Sequence, residues 1–521
     1  MYMMTKSKKK TKQSKPKQSK TKQSKPKQSK PKQSKPKQSK TKQSKPKQSK
    51  QIHYLSKLDN GLKCYIKNIK SEINVNIVFM VKTGSIQDGK YDGLSHLLEH
   101  MFYIGTKNIN NEGELKRKLE SEGSIINGST SNEYTAYYIT LHPTKLFTYI
   151  KLLAEMIKFS TIDGYNLEDE KNVVYNELNM RKDKLSSYYN RLSLYNIYKN
   201  SIYKDSVGGS QTTLKTIEKH HLLAYIKSQY LPQNCIFGIR GKINYKLDKL
   251  LSLVKDEFGG KDLFSHYKIK ENHIKYKDYM NEYKYFQSIN KNINNDIMRK
   301  KVKYNWGFNQ IVDKKALQTY VYIYFEGIPV VKNNKISKEH KISKYIKTYL
   351  NFGLSGKLKE DVRSNNKLIY NMSIKIPNHS YEGLFNIQYN IKPDNNEDIV
   401  KSLEIVMKNL NKLKTNLLDE KTIFNLYKQK LIRDAMTDDN ILDDTINKCE
   451  EYVFADINSK YYKDEIKKSI SSKTKKKKFN DITPNDIMKY SNKIFNTSKM
   501  SVFIVSPKKI ILNYEKIKKM L

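Results

Sequence analysis

His96-Leu97-Leu98-Glu99-His100 brings two imidazoles and a carboxylate into little more than one helical turn. An α-helix repeats about every 3.6 residues, so side chains four apart share a face and His96 and His100 can hold one ion together. A pair of imidazoles with a carboxylate at hand suits zinc. If both histidines bind, Glu99 stands beside the ion rather than on it, where it can serve as general base. A catalytic zinc takes three protein ligands and leaves its fourth position to water, so one more ligand is needed. The same five residues also fit a solvated helix with no ion, and the flanking segments decide between the two.

Those flanks resemble the pitrilysin- and insulysin-type zinc peptidases, the inverzincins, whose signature is H-x-x-E-H. Gly93-Leu-Ser-His96 with Met101-Phe-Tyr-Ile-Gly-Thr106 is similar to that family's GxxHxxEHMxFxGT. Asn127-Gly-Ser-Thr-Ser-Asn-Glu133-Tyr-Thr135-Ala-Tyr137 is similar to NAxTxxExTxY, with Gly128 where alanine is common. Glu170-Lys-Asn-Val-Val-Tyr-Asn-Glu177 is similar to ExxxVxxE, and Glu177 lies 77 positions after His100. The resemblance implies one zinc ion (Zn2+) per chain held by His96, His100 and Glu177, with Glu99 as the base and Glu170 orienting the site. It implies also that Asn127 and Gly128 lie on an edge strand to which substrate backbone adds. A glycine there keeps its N–H and C=O but stiffens the strand less, which bears on substrate affinity and not on catalytic competence.

In the second part of the chain, Gly353-Leu-Ser-Gly-Lys-Leu358 leading to Arg363 and Tyr370 resembles the family's glycine-containing turn and R-x6-Y. The resemblance implies that Arg363 and Tyr370 reach the substrate carbonyl, where a guanidinium and a phenol act as oxyanion donors. Phe352-Gly-Leu-Ser-Gly is not a phosphate cradle, because it lacks the GK[ST] end of a P-loop. His142, His220, His221, His340 and His379 read as ordinary surface or core histidines, and Trp306 has no assigned place.

Residues 11–50 are eight copies of Thr/Pro-Lys-Gln-Ser-Lys, and residues 1–50 hold 20 lysines and no acid. Such a segment cannot bury enough apolar surface to offset backbone ordering, which predicts a disordered polycation able to bind nucleic acid or another polyanion. The other 79 basic and 52 acidic residues leave the body at +27, but only seven basic residues are arginine, and no clustered stripe marks a nucleic-acid interface. Cys64, Cys235 and Cys449 are few, odd in number and far apart, which suits a reducing compartment and excludes a disulfide framework. The N-terminus has neither the apolar core of a secretory signal nor an Arg-rich amphipathic presequence, and no run of about 18 apolar residues predicts a transmembrane span. The expected location is intracellular, cytoplasmic with nuclear or particle-associated placement open.

Leu58-Asp-Asn-Gly61 marks a turn, followed by a strand at Leu62–Ile66. Ile73–Val81 alternates as a half-buried strand, and helices are expected at Glu112–Glu122, Lys145–Phe159 and Leu167–Met180, with strand material from Ser129 to Leu141. Cys235–Ile239, Thr319–Phe325 with Tyr320, Tyr322 and Tyr324 on one face, and Met500–Val505 read as further strands. The pattern predicts an α+β chain of two similar halves, each a mixed or antiparallel sheet packed by helices, behind a basic tail. The divisions expected are a tail at 1–50, a metal-bearing half at 51–255, a linker or insertion at 256–312, and a second half without metal at 313–521. The function expected is zinc-dependent endopeptidase action on peptides or unfolded protein segments, by a homodimer or paired subunit. The alternatives are an inactive peptidase-like scaffold and a polyanion-binding protein that works mainly through its tail.

Overall fold

Two runs of short strands and long amphipathic helices build two sheets in the computed structural model. It describes residues 53–109, 111–162, 164–291, 302–332, 335–353, 355–392, 395–425, 439–457 and 482–521. The basic tail expected at 1–50 lies outside the described residues. The first sheet comprises β1 (His53–Lys57), β2 (Lys63–Asn68), β3 (Val75–Val81), β4 (Ile125–Thr130), β5 (Thr135–Leu141) and β6 (Cys235–Gly241). Its order is β1-β2-β6-β3-β5-β4, with β2 and β6 parallel and the other neighbours antiparallel. The second sheet comprises β7 (Gly307–Val312), β8 (Thr319–Glu326), β9 (Ile369–Lys375), β10 (Leu384–Ile391) and β11 (Met500–Ser506). Its order is β9-β10-β8-β11-β7, and only β7 and β11 are parallel. This is the α+β architecture of two mixed, mainly antiparallel sheets that the pattern predicts.

Helices α1 (Leu94–Met101), α2 (Glu112–Glu120), α3 (Leu146–Phe159), α4 (Gly164–Asp183), α5 (Leu185–Ile197), α6 (Lys219–Gln229), α7 (Leu247–Phe258) and α8 (Tyr276–Lys291) accompany the first sheet. Helices α9 (Lys338–Asn351), α10 (Asn396–Thr415), α11 (Asp439–Phe454) and α12 (Pro484–Ile494) accompany the second. One face of the first sheet, with Ile77, Phe79 and Val81, packs on apolar residues of α1, α3 and α7. One face of the second, with Val321, Ile323 and Phe325, packs on α9, α10 and α12. Each remaining face is covered from the opposite half. Val78 and Met80 meet Tyr452 and Val453 of α11, while Tyr320, Tyr322 and Tyr324 meet Tyr189 and Ile197 of α5 and Tyr198 just after it. Trp306 joins the tyrosine layer, its ring 4.8 Å from that of Tyr304.

This exchange corrects the expectation for Ile73–Val81. The strand begins at Val75, Ile73 is 65% exposed, and all seven strand residues are buried. A strand at the middle of a sheet covered on both sides loses its polar face. The strand material expected from Ser129 to Leu141 is the end of β4 and the whole of β5, a hairpin that turns where Ser131 Oγ accepts from the backbone N–H groups of Glu133 and Tyr134. The stretch expected to be a linker begins by completing the first core. Leu263, Phe264 and Tyr267, with Tyr279 and Phe286 of α8, are buried there, and α8 lies along α6. No helix among the described residues is long and apolar enough to cross a membrane.

Buried carboxylates tie the halves together. Glu133, in the β4–β5 turn, accepts from the backbone N–H groups of Ser380 at 2.7 Å and Tyr381 at 3.3 Å, and from the Tyr203 hydroxyl. Glu382 accepts from Tyr198 at 2.7 Å and Tyr304 at 2.8 Å and pairs with His379. Burial works against charge on His379, but the carboxylates of Glu382, Glu133 and Glu450 outweigh it and push its pKa up to about 9. Glu133→Ala removes an acceptor shared by three buried donors. It is expected to lower unfolding stability by about 3–5 kcal/mol in urea titrations. A loss below about 1 kcal/mol would show that Glu133 contributes little to holding the halves together.

Candidate active site

The motif helix α1 starts at Gly93, whose φ of 91° is left-handed. A Cβ there would stand 2.7 Å from the carbonyl oxygen of Gly208, so only glycine fits. The fully buried Asp88 carboxylate accepts from the N–H of Gly93 at 3.0 Å and of Ser95 at 3.1 Å, satisfying donors that a helix start leaves open. So anchored, α1 packs against α4 and β4 with His96 and Glu99 on its buried side.

Nε2 of His96 and Nε2 of His100 lie 3.6 and 3.8 Å from Oε2 of Glu177. Bonds of about 2.0–2.1 Å at tetrahedral angles place neighbouring ligand atoms about 3.4 Å apart, so this donor set fits zinc. Burial, with the charges of His100 and Arg181, drives His96 down to about 3, which keeps its ring neutral and a lone pair free. Burial also opposes charge on His100, but the Glu170 hydrogen bond and the carboxylates of Glu99, Glu170 and Glu177 outweigh it and raise its pKa. Nδ1 of His100 lies 3.1 Å from Oε2 of Glu170, which fixes the ring with Nε2 turned toward Glu177. The other oxygen of Glu177 pairs with Arg181, one turn further along α4.

Glu99 is buried beside this cluster, and burial raises its pKa above the ordinary carboxylate value, against the pull of the Thr130 hydrogen bond. That shift moves it toward the range of a general base. Its Oε2 accepts from Thr130 Oγ1 at 2.7 Å. Its Oε1 lies under Gly128, where a Cβ would stand 2.4 Å from it and 2.7 Å from the Tyr103 hydroxyl. Gly128 therefore does more than soften the strand; it leaves room for the carboxylate. Among the described residues strand β4 pairs only with β5, which leaves its other edge open, and the Asn127 side chain accepts from the Gly128 N–H at 2.8 Å.

Arg363 and Tyr370 are brought to each other rather than to this cluster. The guanidinium carbon of Arg363 lies 4.8 Å from the centre of the Tyr370 ring, on edge strand β9, and Tyr370 is 81% exposed. Among the described residues neither makes a hydrogen bond or ion pair with His96, Glu99, His100 or Glu177. Sequence reasoning also passed over Asp88, Tyr103, Thr130 and Arg181. Arg181 had a signal, its i,i+4 spacing from Glu177; Thr130 stood inside a quoted motif without a role. Asp88 acts locally, on the helix start five to seven residues on, and Tyr103, also inside a quoted motif, acts through its place near Gly128, a tertiary contact.

The sequence model described as "Insulinase (Peptidase family M16)" matches residues 64–210, which hold the whole cluster. A second, "Peptidase M16 inactive domain", matches residues 270–431, where no HxxEH occurs. A zinc protease of Bacillus subtilis, YmxG, is 30% identical over 201 residues, 38% of this chain and 48% of that protein. A zinc protease of Rickettsia felis is 24% identical over 67% of this chain and 76% of its own length. The bovine mitochondrial-processing peptidase subunit beta is 27% identical over 39% of this chain and 41% of that protein. The match thus spans about half or less of the Bacillus and bovine proteins. Among solved structures, a protease from Helicobacter pylori superposes with a TM-score of 0.67 at 18% identity, over 88% of this chain and 100% of that one. Pitrilysin does so with 0.64 at 18% identity, over 91% of this chain and 49% of its own. At these identities the superpositions show the shared fold.

Proposed function

This chain belongs to peptidase family M16, the insulinase/pitrilysin type, and we propose that it is a zinc-dependent endopeptidase of peptides and unstructured protein segments. The observation that carries the proposal is the convergence of His96, His100 and Glu177 to ligand spacing, with a buried Glu99 beside them and an open strand edge alongside. Held by those three side chains, zinc supplies Lewis acidity toward the scissile carbonyl and lowers the pKa of water. Glu99 takes the proton of the attacking water on its carboxylate and returns it to the leaving amine. Thr130 steadies that carboxylate, Glu170 holds the His100 ring, and Arg181 holds Glu177. Backbone pairing on β4 requires an extended substrate, which favours unfolded segments over folded domains.

Relatives carry the names of subunits, mitochondrial-processing peptidase subunit beta and cytochrome b-c1 complex subunit 1, and we extend pairing to this chain, with a second copy or a distinct partner. Arg363 and Tyr370, presented on the open edge of the second sheet, are assigned to the oxyanion of a bound substrate. Arg363→Ala and Tyr370→Phe are each expected to lower kcat by about 10²–10³ with zinc content unchanged. Losses below about threefold in both variants would leave them a surface cation–π pair. The proposal as a whole is tested by incubating the full chain with a quenched-fluorescence library of unstructured peptides and with folded proteins. Cleavage of the peptides, stopped by chelator and restored by zinc, is the expected result. An inactive scaffold would cleave neither.

A further inference from the structure

A cavity of about 420 Å³ opens between the two halves beside the metal cluster. Its walls include Leu178 and Arg181, which follow Glu177 on α4, and Val207, which precedes Gly208. A Cβ on Gly208 would lie 2.8 Å from the Leu178 side chain and 3.7 Å from His96 Nδ1, so the cavity and the cluster share a wall. Asn132, just beyond the end of β4, and Lys375, the last residue of edge strand β9, also line it. A peptide lying along β4 therefore runs past Glu99 and Thr130 toward this space.

The lining is strongly one-sided in charge. Arg181, Lys182, Arg191 and Lys204 come from the first half and Lys375 from the second, against the single carboxylate of Asp205. The body as a whole has 79 basic to 52 acidic residues, so a cationic lining accords with the chain's basic surface, and what marks this cavity is the placement of those cations around one space next to the ligand cluster. Arg181 is engaged by Glu177, but Lys182, Arg191 and Lys204 have no ion pair within 4 Å among the described residues. Tyr188 and Tyr195, 37% and 51% exposed, add aromatic faces to the same walls. Unpaired cations beside aromatic walls suit a carboxylate side chain, which can accept charge-assisted hydrogen bonds there, and repel a lysine or arginine.

We propose that this cavity is a specificity pocket for an acidic side chain of the substrate, on one side of the scissile bond. The direction in which substrate runs rests on the peptidase reading; the charge preference of the cavity does not. The test is a scan of a neutral, unstructured peptide in which Glu or Lys is moved through each position. The full chain is used throughout, so its basic tail contributes equally at every position. Cleavage is expected to favour Glu over Lys by at least about tenfold in kcat/KM at one or two adjacent positions. The exposed pair Arg191→Glu/Lys204→Glu should abolish or invert that preference without changing hydrolysis of the neutral parent peptide. Binding of the same peptides, read by fluorescence anisotropy on the Glu99→Gln chain with and without the double reversal, supplies a readout independent of turnover. A position-specific preference for Glu that the reversal removes in binding, with no cleavage of any peptide by the unsubstituted zinc-loaded chain, would refute the peptidase reading and uphold the pocket. Cleavage or binding with no position-specific preference, or with one the reversal leaves intact, overturns the pocket.

Discussion

Glu99→Gln is expected to reduce peptide hydrolysis by about 10²–10⁴ while zinc stays bound at about one ion per chain. The amide keeps the size of the carboxylate and can still meet the Thr130 hydroxyl, so the packing of α1 against β4 should survive. What it loses is the ability to accept a proton, and the neighbouring carboxylates are engaged elsewhere. Glu170 is committed to the His100 ring, and Glu177 faces both histidines and Arg181. Thermal stability close to that of the parent would confirm that the loss is chemical. Turnover like the parent's in a folded, zinc-loaded variant would remove Glu99 from the mechanism.

Glu177→Gln should behave differently, losing metal and activity together. The carboxylate is the one anionic member of the three-ligand set, and its replacement leaves two imidazoles and the unpaired guanidinium of Arg181 facing the ion. A neutral amide beside that cation is a poor exchange for a charged oxygen donor. Zinc should dialyse away under conditions in which Glu99→Gln retains it, and activity should return, if at all, only in large zinc excess. Unchanged zinc content in Glu177→Gln would move the third ligand elsewhere, with Glu170 the nearest carboxylate on the same helix.

The two variants divide what was legible in the chain from what was not. His96, Glu99 and His100 could be read directly because helical periodicity is a local property of five consecutive residues. Glu177 could not: it lies 77 positions away, and only resemblance to a known motif brought it to the site that α4 builds. Glu170 likewise came from resemblance, and the structure gives it a partner in His100. The steric role of Gly128 depends on the crossing of β4 over α1, which alternation along a strand does not encode. The same holds for the fully buried β3, whose second face is covered by α11, more than 350 residues later in the chain. Arg363 and Tyr370 match a motif in spacing, yet here they stack on each other at a solvent-facing edge, a pairing that motif spacing does not encode.

The central claim is that one zinc on His96, His100 and Glu177 makes this chain a peptidase. Its most direct test is a titration in which chelated, metal-free protein receives zinc stepwise while bound metal and peptide turnover are measured in the same samples. The account predicts that turnover is absent without metal, rises in proportion to bound zinc, and reaches its plateau at about one zinc per chain. Full turnover in the metal-free protein, or none at one zinc per chain in a correctly folded sample, would contradict it.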